Sequence, residues 1–314
     1  MSKYKEIDLT NLKKTSIKSR SNLVQIENFS NPKIDNFEDF TKSLPNILKA
    51  KDFNELLDKC VQAYKNNKPV IVALGGHVIK CGLAPFIIEM MELGLITGLA
   101  SNGSVVIHDY EIARFGATSE DVATALETGE FGMAAETCDG INNIISSANK
   151  SLGYGEAIGK NLIEIDAENN HLSLFANAYK LNIPFTVHVA MGTDIVHQHE
   201  TADGAAIGDC SLRDFRIFCN NLCKLNDGGI FLNFGSAVIM PEVFLKAVTV
   251  VRNLGFPLNN FYTAVFDMNM HYRPNMNIVH RPTLSGGKGY YFIGHHEIMI
   301  PLFFQSLKER LKGA

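Results

Sequence analysis

Short apolar runs that end in small residues alternate with amphipathic helical patterns along most of this chain. Patterns such as DFNELLDKCVQAYKN (52–66) and SLRDFRIFCNNLCKLND (211–227) place apolar residues at helical spacing. Strands that alternate with helices predict a largely parallel sheet with helices on both faces, which is a Rossmann-like α/β fold. The predicted strands are PVIVALGG (69–76), ITGLASNGS (96–104), IPFTVHVAMGTD (183–194), GGIFLNFGSAV (228–238), 261–268 and 290–292.

Composition limits the class of protein. Residues 1–50 are polar and predict an N-terminal arm with a helix near its end, whereas residues 51–314 predict a single Rossmann-like domain. A net charge of −4 gives no basic surplus for nucleic acid. The longest apolar stretch, 83–100, is interrupted by Pro85 and Glu89, so we expect no membrane span. Six cysteines without a CxxC pair and a polar N-terminus favour the cytoplasm.

Small residues follow several of the predicted strands. In parallel sheets the carboxyl ends of the strands meet along one rim, where ligands bind. We therefore expect three such segments to lie close together, namely GGHVIKCG, ASNGS and NFGSAV. Their glycines would let the backbone approach a phosphate. ALGGHVIKCG (73–82) lacks the GxGxxG pattern, so a plain strand-to-helix turn remains the alternative to a nucleotide loop.

The stretch GTDIVHQHE (192–200) collects Asp194, His197 and His199 just after His188. If the strand continued through it, His197 and His199 would share one face. These residues could bind a divalent metal, contact a substrate, or serve only the structure. HExxH and paired cysteines are absent from the sequence, so we expect no metal site. Asp194 and His197 are the candidates for orienting a substrate and transferring protons.

The C-terminal third offers further polar candidates. Lys288 lies in the glycine-rich RPTLSGGKGYY and could bind phosphate or form an imine, or be a solvated loop lysine. FDMNMHYRP places Asp267, His271 and Arg273 after a strand, and Arg273 could clamp a carboxylate or phosphate or pair with an acid. In GHHEIM, Glu297 near the start of the last helix is typical of a helix N-terminus.

These segments together resemble the deoxyhypusine synthase family over roughly residues 50–310. PVIVALGGHVIKCGLAPFIIEMMELGLITGLASNGSVVIHDY resembles the family's SNLISSG loop, helix, strand and TTAGG turn. GGIFLNFGSAVIMPEVFLKAVTVVRNLG resembles its LGGGVVKHH region, and TAVFDMNMHYRP resembles TAQEFDGSDSGARP. The resemblance implies a Rossmann-like NAD-binding enzyme of the cytoplasm, a homotetramer with sites at subunit interfaces. The family oxidises spermidine and passes a butylimine through an active-site lysine to a protein lysine. The NAD-contacting positions that the resemblance implies here are Gly76, His77, Ser101, Asn102, Gly103, Gly235 and Ser236.

The polyamine half of the family's pattern is altered. An ungapped count places Pro282 where the family has the lysine of its WGK motif, and only a gap would bring Lys288 there. The acids of LTDGSLGD become Gly192 and His197, and of the acids in FDGSDSG only Asp267 is retained. A desolvated polyamine needs carboxylate partners for its charges. We therefore expect a neutral or anionic small molecule as the substrate. The residues expected to contact it are His188, His199, Asp267, His271 and Arg273.

We therefore expect an NAD-dependent transferase or oxidoreductase that acts at a C–N or C–O carbon of a substrate other than spermidine. Three alternatives remain open. The first is true deoxyhypusine synthesis with Lys288 as the catalytic lysine. The second is a metal-dependent hydrolase at the His188, Asp194, His197 and His199 cluster. The third is a non-catalytic protein that retains NAD as a structural ligand.

Overall fold

A computed structural model describes residues 3–148 and 150–312 of the chain. The chain divides into two compact units after Asp52. In the first unit an extended arm precedes helix α1 (Phe37–Ser43), whose first turn is capped by the Asn36 side chain. No helix of the described residues is long and apolar enough to cross a membrane.

The second unit is built on one six-stranded sheet surrounded by helices. The strands are β1 (Val70–Leu74), β2 (Gly98–Ser101), β3 (Phe185–Val187), β4 (Ile230–Phe234), β5 (Phe261–Asp267) and β6 (Gly287–Ile293). The helices that follow α1 are α2 (Leu48–Lys65), α3 (Gly76–Lys80), α4 (Ala84–Glu92), α5 (Gly103–Phe115), α6 (Val122–Thr128), α7 (Ala135–Ala148), α8 (Tyr154–Glu164), α9 (Leu174–Lys180), α10 (Gly204–Leu222), α11 (Ile239–Asn253), α12 (Tyr272–Pro274) and α13 (His296–Lys312). A π-helix, Asn275–His280, joins α12 to the chain before β6.

All strands of the sheet are parallel, in the order β3-β2-β1-β4-β5-β6. The predicted Rossmann-like α/β fold is confirmed. The chain starts at the central strand β1, builds outward to β3, and then returns to place β4 on the other side of β1. Such a reversal opens a crevice above the carboxyl ends of the two central strands. Leu74 and Phe234 are the paired residues at those ends.

Strands β1, β2 and β4 are buried along their whole length, as their largely apolar sequences favour. Aromatic side chains fill both faces of the sheet. Phe231 of β4 stacks on Phe244 of α11 on one face, with ring centroids 3.9 Å apart. Phe234 stacks on Phe266 at 4.9 Å on the other, against α13. This packing fixes the two central strand ends and therefore the floor of the crevice.

The outer edge of β3 is covered by α8 and by a buried carboxylate. Asp214 of α10 accepts hydrogen bonds from the backbone N–H of Val187 (2.7 Å) and Gly155 (3.0 Å). A Cβ on Gly155 would lie 1.9 Å from the carbonyl oxygen of Phe185, so only glycine lets α8 approach this closely. Burial raises the pKa of Asp214 to about 7. The edge strand is thus protected from pairing with another chain.

Three local features differ from the sequence predictions. The apolar pattern of residues 79–95 predicts one helix, but the segment holds the end of α3 and all of α4, because Gly82 adopts a φ of +70° and α4 begins beside Pro85. Strand β3 ends at Val187, since the chain turns at Gly192, whose φ is +87°. Helices α5, α7 and α8 form where no helix was predicted.

Candidate functional site

Two glycine turns meet at the switch point of the sheet. The Gly75 N–H donates to the carbonyl oxygen of Phe234, and the Gly235 N–H donates to that of Phe266. A Cβ on Gly75 would lie 2.5 Å from the carbonyl oxygen of Gly235. Gly235 itself has a φ of +71°, a conformation that favours glycine. The turns after β1 and β4 therefore touch through their backbones. Neither glycine has a side chain that could block the space above the turns.

On the β2 side, the start of α5 lies against the turn after β1. A Cβ on Gly76 would lie 2.6 Å from Ser104 Oγ and 3.1 Å from the His108 ring. Gly103, the first residue of α5, faces the Asp194 carboxylate, whose Oδ2 would lie 2.1 Å from a Cβ built there. A continuous row of contacts thus runs along the rim through Asp194, Gly103, Ser104 and Gly76.

Residues at the ends of β2 and β4 support these turns. Ser101 is fully buried, and its hydroxyl has no hydrogen-bond partner among the described residues. Asn102 precedes α5, and its side-chain oxygen accepts from the Ser104 hydroxyl at 3.2 Å. The Ser236 hydroxyl accepts from the N–H of Met240 in α11. Ser101 and Ser236 are too enclosed to extend far into the crevice.

On the β5 and β6 side, Asp267 and His296 are both buried, with 5% and 1% of their surface exposed. The Nε2 of His296 would lie 2.7 Å from a Cβ on Gly235. His296 Nδ1 and Asp267 Oδ2 have no hydrogen-bond partner among residues 3–148 and 150–312. A buried polar atom without a partner costs about 1–3 kcal/mol. A hydroxyl group both donates and accepts, so it matches the chemistry of a carboxylate oxygen and of an imidazole nitrogen.

Other side chains complete this side of the rim. The His77 ring lies 5.9 Å from that of His296, between centroids. The Nε2 of His271 is 3.7 Å from Asp267 Oδ1. Burial lowers the pKa of His296, and the negative charge of Asp267 partly opposes the effect. His296 is accordingly neutral at pH 7, with one nitrogen able to donate and the other to accept.

The three histidines of the 188–199 region make separate structural contacts. His188 is buried against Phe218, its Nε2 is 3.1 Å from Thr186 Oγ1, and burial lowers its pKa to about 3. His197 Nδ1 accepts from the N–H groups of Gly192 and Asp194. The Nε2 of His199 is 2.9 Å from the carbonyl oxygen of Gly132.

The expectation that His197 and His199 share a face of a strand is wrong. Residues Ile195–Gln198 form a 3₁₀ turn, and His199 follows that turn. Nowhere in the described ranges do three or more His, Cys, Asp or Glu side chains converge to hold a metal ion.

Lys288 lies in β6 and not in a loop, so that expectation is also wrong. It pairs with Tyr262 near the amino end of β5, five residues before Asp267 in the register. At about 3.3 Å per residue, Lys288 is roughly 16 Å from the rim. Its Nζ lies 2.6 Å from Glu55 Oε2. Lys288 is therefore at the opposite end of the sheet from the crevice.

Arg273 lies beside the crevice with a carboxylate partner. Its Nε is 3.3 Å from Glu242 Oε1. Half of the Arg273 side chain remains exposed, so the guanidinium can also reach an anion in solvent. The structure thus places Asp267, His271 and Arg273 on the β5 side of the rim, and places His188 and His199 on the β3 side.

Exposed apolar side chains surround the crevice. Most of them follow the carboxyl ends of β3 to β6 or lie at the start of an adjacent helix, and one lies in the middle of α10. Where such side chains form a contiguous surface, that surface marks a contact with another molecule. The apolar rim, as we name this set, consists of Met191, Leu212, Val238, Met268, Met270, Tyr272, Ile293 and Ile298.

Sequence reasoning missed Gly75, Ser104 and His296. The GHHEIM segment follows the carboxyl end of β6, and that position was the available signal for His296. Gly75 was a residue of the predicted turn, but only its contact with Gly235 distinguishes it. Ser104 has no signal in the sequence beyond its place after a strand.

The site fits a dinucleotide in part. The turns after β1 and β4 have the bare backbone that a pyrophosphate requires, and the orphaned atoms of Asp267 and His296 fit a sugar hydroxyl. The N-terminus of α5 is already covered by the Asp194 carboxylate. An anion would therefore lie over the β1 and β4 turns and not at α5.

The chain matches no protein-family model and no curated protein sequence. It is similar in structure to a proposed LOR/SDH protein from Methanococcus maripaludis S2, with a TM-score of 0.50, 16% identity and coverage of 88% of this chain and 71% of that one. A proposed deoxyhypusine synthase from Entamoeba histolytica gives a TM-score of 0.52 at 10% identity, over 87% and 93% of the two chains.

AgrE is a third similar structure. Its ternary complex with ornithine and NAD+ gives a TM-score of 0.54 at 10% identity over 83% of this chain, and unliganded AgrE gives 0.55 at 12% over 82%. The chain spans about a third of the length of AgrE, 33% and 32% in the two structures. At these identities the comparisons establish the fold that the chain shares with these proteins.

Proposed function

We propose that this chain is an NAD-dependent enzyme, similar to deoxyhypusine synthases, that oxidises or transfers at a C–N centre. The observation that carries the proposal is the pair of glycine turns that touch at the carboxyl ends of β1 and β4, the switch point at which sheets of this order bind ligands. The AgrE complex with ornithine and NAD+ supports it, because that protein shares the fold and holds a dinucleotide together with an amine-bearing ligand.

The two halves of the sheet would hold the two halves of NAD. In sheets of this order the turn after the first strand holds the pyrophosphate, and the adenosine lies over the first three strands. Gly76, His77 and Asn102 lie on that side. The nicotinamide half would then lie over β4 and β5, where Asp267 can accept from a ribose hydroxyl and His296 Nδ1 can donate to one.

When bound, NAD supplies a hydride acceptor, and the chain supplies the groups that orient the substrate. His77 and His271 lie beside the Asp267–His296 pair, and Arg273 lies further out on the same side of the rim. One buried carboxylate among several histidines and an arginine favours a neutral or anionic substrate over spermidine, whose charges need several acids. Lys288 is not among the residues that we propose to contact cofactor or substrate.

The two residues that the sequence predicts to transfer protons, Asp194 and His197, do not have equal support. His197 uses Nδ1 to hold the loop that carries Asp194, so its contribution is to position that residue. Burial raises the pKa of Asp194 to about 6, which suits a group that exchanges protons near neutral pH. Asp194 lies on the β2 side, however, where the adenosine half would lie.

The experiment is calorimetric titration of NAD into the purified, chelator-treated protein. We expect saturable binding in the micromolar range at one site per chain. Asp267→Asn should weaken NAD binding by about tenfold or more, because the amide accepts less strongly from a hydroxyl. Asp227→Asn makes the same chemical change before the amino end of β4 and should leave the affinity unchanged. A folded wild-type protein that does not bind NAD contradicts the proposal.

Bound NAD that is never reduced in the presence of amines, amino acids or alcohols would favour the non-catalytic alternative. Reduction with one of these classes, followed by absorbance at the wavelength of NADH, identifies the substrate chemistry. Chelation should leave both binding and reduction unchanged if no metal takes part.

We propose further that the chain assembles as a homotetramer with the crevices at subunit interfaces. The apolar rim supports this, since a second copy would bury it next to the crevice. Light scattering should give the mass of the assembly. Met270→Glu should reduce that mass, whereas Leu284→Glu, which places the same charge on an 84% exposed residue before β6, should not. A monomeric wild-type protein contradicts this assembly.

A further inference from the structure

Two adjoining cavities lie away from the crevice. One faces the outer edge of β3 and has a volume of about 510 Å³. The other lies at the amino ends of β1, β2 and β3 and has a volume of about 580 Å³. The two cavities share Asn182 and Pro184, which lead into β3. One small molecule could therefore occupy both of them.

The cavity beside β3 is largely apolar. Phe175 of α9 stacks on Phe185 of β3, with ring centroids 3.9 Å apart, and this stack forms one wall. An aliphatic or aromatic group that enters the cavity would lose its contact with water, which favours binding. The apolar side chains that line the cavity are Phe175, Tyr179, Ile183, Pro184, Phe185 and Ile217.

Two acids also line the apolar cavity, and both have other functions in the fold. Asp214 is buried, and its Oδ2 already accepts from the N–H groups of Gly155 and Val187. Glu156 is exposed in the first turn of α8, where the helix dipole favours an acid. What this cavity offers a ligand is therefore mainly apolar surface.

The cavity at the amino ends of the strands has the opposite character. Its polar side chains are cations, amides and a hydroxyl, and no acid of the described chain lines it. The Lys68 Nζ donates to the carbonyl oxygen of Asn226 at 3.0 Å, which holds the ammonium group in place. Lys224 is exposed and forms no ion pair with another described residue. Hydrogen-bond donors and positive charge thus converge from Lys68, Asn67, Thr97, Asn182, Asn221 and Lys224.

We propose that the two cavities together bind one small amphipathic anion. Its apolar body lies beside β3, and its carboxylate or phosphate head lies at Lys68 and Lys224. Asn182 and Pro184 stand where the two halves meet, so the amide can donate to the head while the proline contacts the body. The polar cavity is at the end of the sheet opposite the crevice, so this ligand is a molecule other than the proposed cofactor and its substrate. The inference does not depend on the proposed function.

The test is calorimetric titration of the whole protein with octanoate, octyl phosphate, butyrate and octylamine. At least one of the two eight-carbon anions should bind, and the tighter of them identifies the head group. Octanoate should bind about tenfold or more tightly than butyrate, because each buried methylene contributes about fourfold. Octylamine has the same chain with a positive head and should bind about tenfold or more weakly than the tighter anion. If neither anion binds, or if octylamine binds as tightly as both, the inference is wrong.

Variants locate the two halves of the ligand. Replacing Lys68 and Lys224 together by glutamine should weaken binding of the tighter anion by about tenfold or more. Replacing Lys42 and Lys246 by glutamine removes the same charge from two lysines that pair with acids elsewhere, and should leave the affinity unchanged.

Ile217→Ser removes apolar surface from the cavity beside β3 and should also weaken binding. Met270→Glu, in the apolar rim, is its control and should have no effect on the anion. Circular dichroism shows whether each variant is folded. If the double lysine variant or Ile217→Ser is folded and binds the anion as tightly as the wild type, the anion lies elsewhere and the inference is wrong.

Discussion

Replacement of Gly235 by alanine tests whether the turn after β4 is shaped for a ligand. Gly235 has a φ of +71°, and a left-handed conformation costs a residue with a Cβ about 1–2 kcal/mol. The new Cβ would also lie 2.7 Å from His296 Nε2 and must push this buried ring aside. Overpacking of this kind costs about 1–3 kcal/mol. The displaced ring would no longer hold its position at the turn after β4.

Gly255→Ala is the control that measures the cost of the left-handed backbone conformation without the cost of overpacking. Gly255 follows α11 with a φ of +84°, and no atom lies within 4 Å of a Cβ built there. It should lower the free energy of unfolding by about 1–2 kcal/mol only. Gly235→Ala should therefore melt below Gly255→Ala by roughly 2–12 °C. Calorimetry should find that Gly235→Ala has lost NAD binding and that Gly255→Ala has kept it. Equal stability of the two variants together with unchanged NAD affinity would refute the reasoning.

Two further predictions follow from the buried acids and from Lys288. Burial raises the pKa of Asp214 to about 7 and that of Asp109 to about 6, so the folded state holds these protons more tightly than the unfolded state. The free energy of unfolding should consequently fall as pH rises from about 4 to about 7, by up to about 1.4 kcal/mol per pH unit for each group. Urea denaturation at several pH values measures this dependence of the free energy of unfolding on pH, and Asp214→Asn should weaken it. A free energy of unfolding that rises between about pH 4 and pH 7 would contradict the raised pKa values of these two acids. Lys288→Ala removes an ion pair with Glu55 in which both side chains are partly exposed, at a cost of about 1 kcal/mol or less, and should leave NAD affinity and turnover unchanged. Loss of turnover in folded Lys288→Ala would restore the deoxyhypusine synthase alternative.

The sequence predicted the strands well because each is a short apolar run bounded by small residues. All six predicted strands are present, and β1 and β4 lie inside their predicted ranges. Helices α2 and α10 were predicted for a similar reason, since their apolar faces follow helical spacing. Helix α5 was not, because it buries Asp109 among its apolar residues. That carboxylate accepts from the N–H groups of Leu174 and Phe175 at the start of α9, a partner that local sequence does not reveal.

The candidate site was predicted in outline and differs in detail. The rim and its glycine turns follow from parallel strands, so Gly76 and Gly235 were identified from sequence. The histidines of GTDIVHQHE were expected to act together. They have separate contacts because the chain leaves β3 after Val187 and folds into a 3₁₀ turn. Lys288 was expected at the site, but a glycine-rich segment can begin a strand as well as form a loop, and here it begins β6.

The sequence by itself determined that a parallel α/β sheet would form and which strand ends would be bare of side chains, because periodicity and glycine are local properties. Tertiary structure alone decided which of those ends meet. The strand order brings Gly75 against Gly235, and packing of α13 places His296 against Gly235. The loop after β3 brings Asp194 to the start of α5. These contacts join residues distant in sequence, and they depend on the order in which strands pair and helices pack, which no local pattern of residues encodes.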